Sequence, residues 1–157
     1  MREIKLNHIL MDGREWPIYC DLNVLEEIQD RFQSISEFDR KIAGWEIVRD
    51  ENGHIVKFTK EEAELLGNGI EEGDAKVRKI MPRISAVKTG LYLMIREGLY
   101  IEADQKGNDP EEITEEYIAR ICDVPYDKAS VILTQEMHRC FETKKKEKKK
   151  KANSRST

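Results

Sequence analysis

The chain changes its apolar period partway along, and that change confines it to a mixed architecture. Between Ile4 and Cys20 apolar residues alternate with polar ones. Ile4, Leu6, His8 and Leu10 are read as one face, then Met11-Asp12-Gly13-Arg14, then Trp16, Ile18 and Cys20. Period two on both sides of an Asp-Gly is the signature of a two-residue β-hairpin. Further on, Val77, Ile80, Met81, Ile84, Val87, Leu91, Met94, Ile95 and Gly98 hold a three-four spacing, the stripe of an amphipathic helix of about six turns. Neither a pure bundle nor a pure β-sandwich accommodates both.

The segments between these two fit the same picture. Asp21 or Asn23 can cap a helix carrying Val24, Leu25, Ile28 and Phe32. A short helix over 36–42 follows, with Ser36 as its cap and Phe38 and Ile42 inward. Residues 45–58 read as a second hairpin turning at Asn52-Gly53, and Thr59-Lys60-Glu61-Glu62 as a capping box. Three glycines in Gly67–Gly73 read as a linker. Pro82 marks a helix start or a kink. Asn108-Asp109-Pro110-Glu111-Glu112 reads as a cap with proline at the first helical position, ahead of a stripe of Ile113, Tyr117, Ile118 and Ile121. A last helix carries Ala129, Ile132, Leu133, Met137, Cys140 and Phe141. The expected fold class is α+β: an N-terminal β-hairpin and short helix plus an inserted second hairpin, packed on a mainly helical C-terminal half. The expected organisation is one domain over 1–143 (1–66 containing the hairpins, 67–73 the linker, 74–143 helical) and a disordered basic tail over 144–157.

Charge sharpens that last division. Of 157 residues 27 are basic and 31 acidic, a net charge of −4. Residues 144–157 hold seven lysines and one arginine against one glutamate, which leaves the body at −11. An acidic body repels phosphates and suits protein partners. The lysine run has no aromatic residue to stack on bases, so nucleic acid is not an expected partner. No apolar run approaches the ~20 residues needed to span a bilayer. The first residues lead into alternation and not an apolar export segment, so no signal peptide is expected. Three widely spaced cysteines (Cys20, Cys122, Cys140) read as reduced, apolar side chains.

No constellation of catalytic residues emerges. His8, His54 and His138 never fall at i, i+4, no Cys-x-x-Cys accompanies them, and no nucleophile elbow or phosphate-cradling glycine loop is present. Carboxylate pairs such as Glu61-Glu62 and Glu115-Glu116 fit solvated helix faces. The chain is expected to have no catalytic residues, no metal site and no cofactor. Residues 113–136 imitate a helix-turn-helix, but the would-be recognition helix offers Asp127, Lys128, Ser130, Thr134 and Gln135, with Asp127 repelling phosphate at its start.

The run Tyr19-Cys20-Asp21-Leu22-Asn23-Val24-Leu25-Glu26-Glu27-Ile28-Gln29-Asp30-Arg31-Phe32 follows the first hairpin. A later stretch reads Leu91-Tyr92-Leu93-Met94-Ile95-Arg96-Glu97-Gly98-Leu99. With the basic final helix, this order resembles the phage tail assembly chaperones, small proteins of long-tailed phages and prophages of Gram-positive bacteria. The resemblance covers 1–35 and 74–145, whereas the 45–58 hairpin departs from it as an insertion. It implies a non-enzymatic protein of the bacterial host cytoplasm, absent from the mature virion. Its partners would be the tape measure protein, which it keeps soluble, and the tail tube protein, which it helps recruit. Many members are made in two lengths by ribosomal frameshifting, so Lys144, Lys145, Lys146, Lys148, Lys149, Lys150 and Lys151 would record a slippery adenine run. Trp16 and Tyr19 on the hairpin's second strand are the candidate partner contacts. Two other readings compete: a small DNA-binding regulator using 113–136 and the tail, and a structural head-tail or tail adaptor. The sequence leaves oligomeric state open.

Overall fold

A computed structural model describes residues 3–155, with side chains described as far as Glu142. The fold is α+β. The chain divides into two compact units, 1–43 with 82–157 and an inserted 44–81. The boundaries therefore fall beside Gly44 and Pro82, and the glycine-rich stretch 67–73 lies inside the smaller unit.

The larger unit opens with strand β1 (Asn7–Met11) paired antiparallel to β2 (Arg14–Ile18). Asp12 and Gly13 both take positive φ, 50° and 73°, as a type I′ turn requires. That turn sets Met11 opposite Arg14 and Ile9 opposite Trp16. The core face of β1 is consequently Ile9 and Met11, while His8 and Leu10 point to solvent. This reverses the face expected from the sequence, since a one-residue shift of assignment exchanges the two sides of a strand. The Asp12 amide donates to the Asp123 carboxylate at 3.2 Å, and Arg14 grips Glu111 at 3.1 and 2.6 Å while stacking over Trp16.

Helix α1 (Leu22–Phe32) begins where Asp21 accepts hydrogen bonds from the amides of Asn23 and Val24. Helix α2 (Ile35–Ala43) is capped by Ser34, whose Oγ accepts from the Glu37 amide at 3.0 Å; the cap lies two residues before the expected Ser36. In the smaller unit are β3 (Trp45–Ile47), α3 (Lys60–Leu66) and β4 (Val77–Lys79). Helix α4 (Ile84–Lys106) returns to the larger unit, followed by α5 (Glu115–Ile121) and α6 (Tyr126–Arg155). The backbone of α6 thus continues into the stretch read as a disordered basic tail, and the side chains of the lysine run lie outside the described residues.

Two expectations about helix starts fail for identifiable reasons. Val77, Ile80 and Met81 are not helical. Val77 lies in β4, paired with Ile47, and Pro82 disfavours the helical region at the residue before it, Met81. Residues 108–114 are likewise non-helical despite Pro110, because Glu111 is engaged by Arg14 and Thr114 caps α5 by accepting from the Tyr117 amide.

Helix α4 is the spine of the larger unit, with Ala86, Val87, Leu91, Leu93, Met94, Ile95 and Leu99 all buried. Strand β2, α1, α2, α5 and α6 all pack on it. Its glycines let neighbours approach. A Cβ on Gly98 would sit 2.5 Å from the Pro17 carbonyl oxygen, and Tyr19, just past the end of β2, donates its amide to Met94 O at 3.0 Å. A Cβ on Gly90 would meet only side-chain tips, Phe38 Cζ at 3.0 Å and Leu133 Cδ1 at 3.2 Å.

The smaller unit is held by backbone and carries one buried hydrophobic side chain among the described residues, Ala63. Val48 N donates to Lys76 O, Lys76 N to Val56 O, and Val56 N to Val48 O, at 2.8–2.9 Å. These three bonds close a ring joining the segments around 48, 56 and 76. The Asn52-Gly53 turn forms as expected, with Asp50 accepting from the amides of Asn52 and His54. The Thr59–Glu62 capping box starts α3. The third segment, 74–79, contains β4 in place of the helix that its spacing predicts.

The two glycines differ in a measurable way. Gly98→Ala is expected to cost about 3 kcal/mol, since the clash is with fixed backbone. Gly90→Ala is expected to stay within about 1 kcal/mol, because flexible tips can shift and alanine favours a helix. Urea unfolding of both variants checks this; equal losses would contradict it.

Candidate functional site

The site is assembled where β2 runs into α1. Cys20 sits at this junction, 1% exposed, and one turn of α6 closes around it. The amide of Cys20 donates to Glu136 Oε1 at 3.1 Å, its carbonyl accepts from Arg139 Nη2 at 2.9 Å, and its Sγ lies 3.9 Å from Met137 Sδ. Glu136 is only 3% exposed, yet each oxygen is used. Asn7 Nδ2 donates to Oε2 at 3.0 Å and Arg139 Nε to Oε1 at 2.9 Å. A buried carboxylate is tolerable only when paired and hydrogen-bonded in this way. Arg139 in turn lies 4.5 Å over the Tyr19 ring.

Beside this cluster is a groove of about 900 Å³. Tyr19, Leu22, Leu25, Ile35, Cys140 and Phe141 supply much of its lining, with Arg139 among them. Leu22 is 71% exposed and Phe141 44%, so part of the apolar lining faces solvent. Its polar margin comes from Glu3, Lys5, Asp21 and Glu26. Tyr19 therefore lies in a surface groove. Trp16 does not: it is 2% exposed, with its indole Nε1 donating to Met11 O at 3.3 Å and its ring 6.5 Å from that of Tyr117. It is a core residue and offers a partner no surface. Phe141 reads from sequence as one of the apolar residues of the last helix, and Leu22 and Ile35 belong to none of the expected apolar stripes; the structure leaves Leu22 and Phe141 exposed.

Other candidates are dispersed. His54 and His138 are exposed, the first in the loop after Asn52-Gly53 and the second on α6. Among the described residues no group of three or more His, Cys, Asp or Glu side chains could hold a metal ion. No described helix is long and apolar enough to cross a membrane. In the helix-turn-helix-like segment, Ser130 is buried and donates to the Ile42 carbonyl, and Thr134 bonds back to Ser130 O. Two of the five would-be base-reading side chains are thus committed inside the fold.

At the same junction Glu97 of α4 meets the Asp21 cap. Burial first, then the hydrogen bond and charge of Asp21, push the Glu97 carboxyl up to about 7, against relief from Asn23, whose Nδ2 lies 3.4 Å away. In the unfolded chain this group titrates near 4.5. Between the two values the folded chain holds a proton that the unfolded chain has lost. The contribution is therefore full below the lower value and falls as pH rises through the upper one. Glu97→Gln keeps the uncharged form at every pH. It is expected to flatten the pH dependence and to gain about 1 kcal/mol at about pH 8, a discounted figure because the carboxyl is partly solvated. Urea midpoints at about pH 5 and pH 8 check this, and an unchanged slope would contradict it.

Comparison of the chain with protein-family models, curated proteins and solved structures finds no match.

Proposed function

We propose that the protein is a tail assembly chaperone of the kind its sequence resembles. In this reading it works without catalysis in the bacterial host cytoplasm, binds the tape measure protein, helps bring tail tube subunits to it and leaves before the virion is complete. The observation that carries the reading is the groove beside Cys20, where Leu22 and Phe141 stand exposed over Tyr19, Leu25 and Ile35. A long helical client presents an apolar stripe that aggregates when uncovered, and a groove of this lining can take such a stripe as anchor side chains spaced along one face. The acidic body discourages the loaded protein from associating with itself. The commitment of Ser130 and Thr134 within the fold weighs against the DNA-binding alternative.

Co-expression with a tape measure fragment tests the reading. The wild-type chain is expected to hold the fragment in the soluble fraction. Leu22→Asp with Phe141→Asp removes two exposed anchors, worth about 1–2 kcal/mol each, and should weaken capture at least tenfold while leaving the thermal midpoint nearly unchanged. Undiminished capture by the double variant would overturn the groove assignment. Failure of the wild-type chain to solubilise the fragment would overturn the chaperone reading, and stoichiometric retention in finished particles would favour a structural adaptor.

A further inference from the structure

We propose that Cys20 and Cys140 form a peroxide-sensitive thiol pair, which a hydroperoxide converts to a disulfide joining the β2–α1 junction to α6. Both cysteines are free, both line the same groove, and they come from distant parts of the chain. The backbone and sulfur of Cys20 are fixed by Glu136, Met137 and Arg139. Cys140 follows on the same face of α6, three and four residues beyond the Met137 and Glu136 that touch Cys20, and packs against the core cluster that contains Cys20. The pair is thus held in register by contacts that do not involve the Cys140 sulfur.

The two thiols differ in access. Cys20 is buried, and burial foremost, then the negative fields of Cys140 and Glu136, push its thiol up, so it is a poor first nucleophile. Cys140 is half-buried and opens to the groove, which admits a small peroxide. The Cys140 sulfur attacks one peroxide oxygen, the O–O bond breaks, and the departing alkoxide or hydroxide takes the thiol proton. Cys140 is left as a sulfenic acid. The Cys20 sulfur then attacks the Cys140 sulfur; the S–O bond breaks and hydroxide leaves with the Cys20 proton as water. Two thiols and one hydroperoxide give one disulfide, one water and one alcohol, or two waters from hydrogen peroxide. Each sulfur loses one electron and the peroxide bond gains the pair. Cys122, whose Sγ faces the Val124 carbonyl at 3.9 Å, takes no part. The crosslink closes a loop of roughly 120 residues, which restricts the unfolded chain, and a dithiol reductant reverses it.

The test is to treat the full reduced chain with hydrogen peroxide. Titratable thiols are expected to fall from three to one, peptide mapping to show Cys20 joined to Cys140 within one chain, and the thermal midpoint to rise by several degrees until dithiothreitol is added. Cys122→Ser should retain the crosslink. Cys140→Ser, at a half-buried position that tolerates the change, should abolish both the crosslink and the rise in midpoint. Three surviving thiols, oxidation of Cys140 to a sulfinic acid with Cys20 unmodified, or disulfides only between chains would each overturn the proposal.

Discussion

The larger unit depends on a carboxylate placed where carboxylates rarely go. Glu136 is buried at the meeting of β1, β2, α1 and α6, and it is tolerated because the amide of Cys20, the side-chain amide of Asn7 and the guanidinium of Arg139 all donate to it. The Cys20 amide needs such an acceptor. It belongs to the turn between a strand that has ended and a helix that has not begun, so neither ladder can satisfy it. One side chain from α6 therefore completes the backbone of the β2–α1 junction. The Arg139 contact to Cys20 O does the same for the carbonyl, and the guanidinium then lies over Tyr19. The groove is a consequence: where the polar clamp holds α6 against the junction, the apolar flanks of α1 and α6 remain open above it.

The second tie in this unit is steric. The Tyr19 amide, just past β2, can reach the Met94 carbonyl only because α4 has no side chain at position 98. The smaller unit is stabilised differently. With little apolar burial of its own, it relies on the ring of backbone bonds among Val48, Val56 and Lys76, on paired charges such as Lys76 with Glu62 and Arg78 with Glu46, and on a fully formed capping box. Exposed ion pairs contribute little individually, so the ring of backbone bonds and the cap are the main local restraints.

What could be read from the sequence follows the range of the forces involved. Local chemistry was legible. The Asp12-Gly13 turn, the Asp21 cap, the Thr59–Glu62 box and the inward faces of α1 and α2 depend on residues within a few positions of one another. Competition between local signals was not. Pro110 can open a helix, but Glu111 is held by Arg14 and the start moves to Thr114. Val77 fits a helical stripe and a strand equally, and pairing with Ile47 decides for the strand. The candidate site was the least legible part. Tyr19 lies in the groove, but the groove around it depends on Glu136 and Arg139 meeting a junction more than a hundred residues earlier, and nothing in the local pattern of α6 distinguishes Glu136 from an ordinary solvated acid.

This buried carboxylate ties α6 to the strand–helix junction and so maintains the groove. Equilibrium urea unfolding of Glu136→Ala tests it most directly. Removing the carboxylate strands the buried Cys20 amide and deletes the Arg139–Glu136 ion pair, so a loss of about 3 kcal/mol is expected. A loss below about 0.5 kcal/mol, the scale of an ordinary surface substitution, would contradict it.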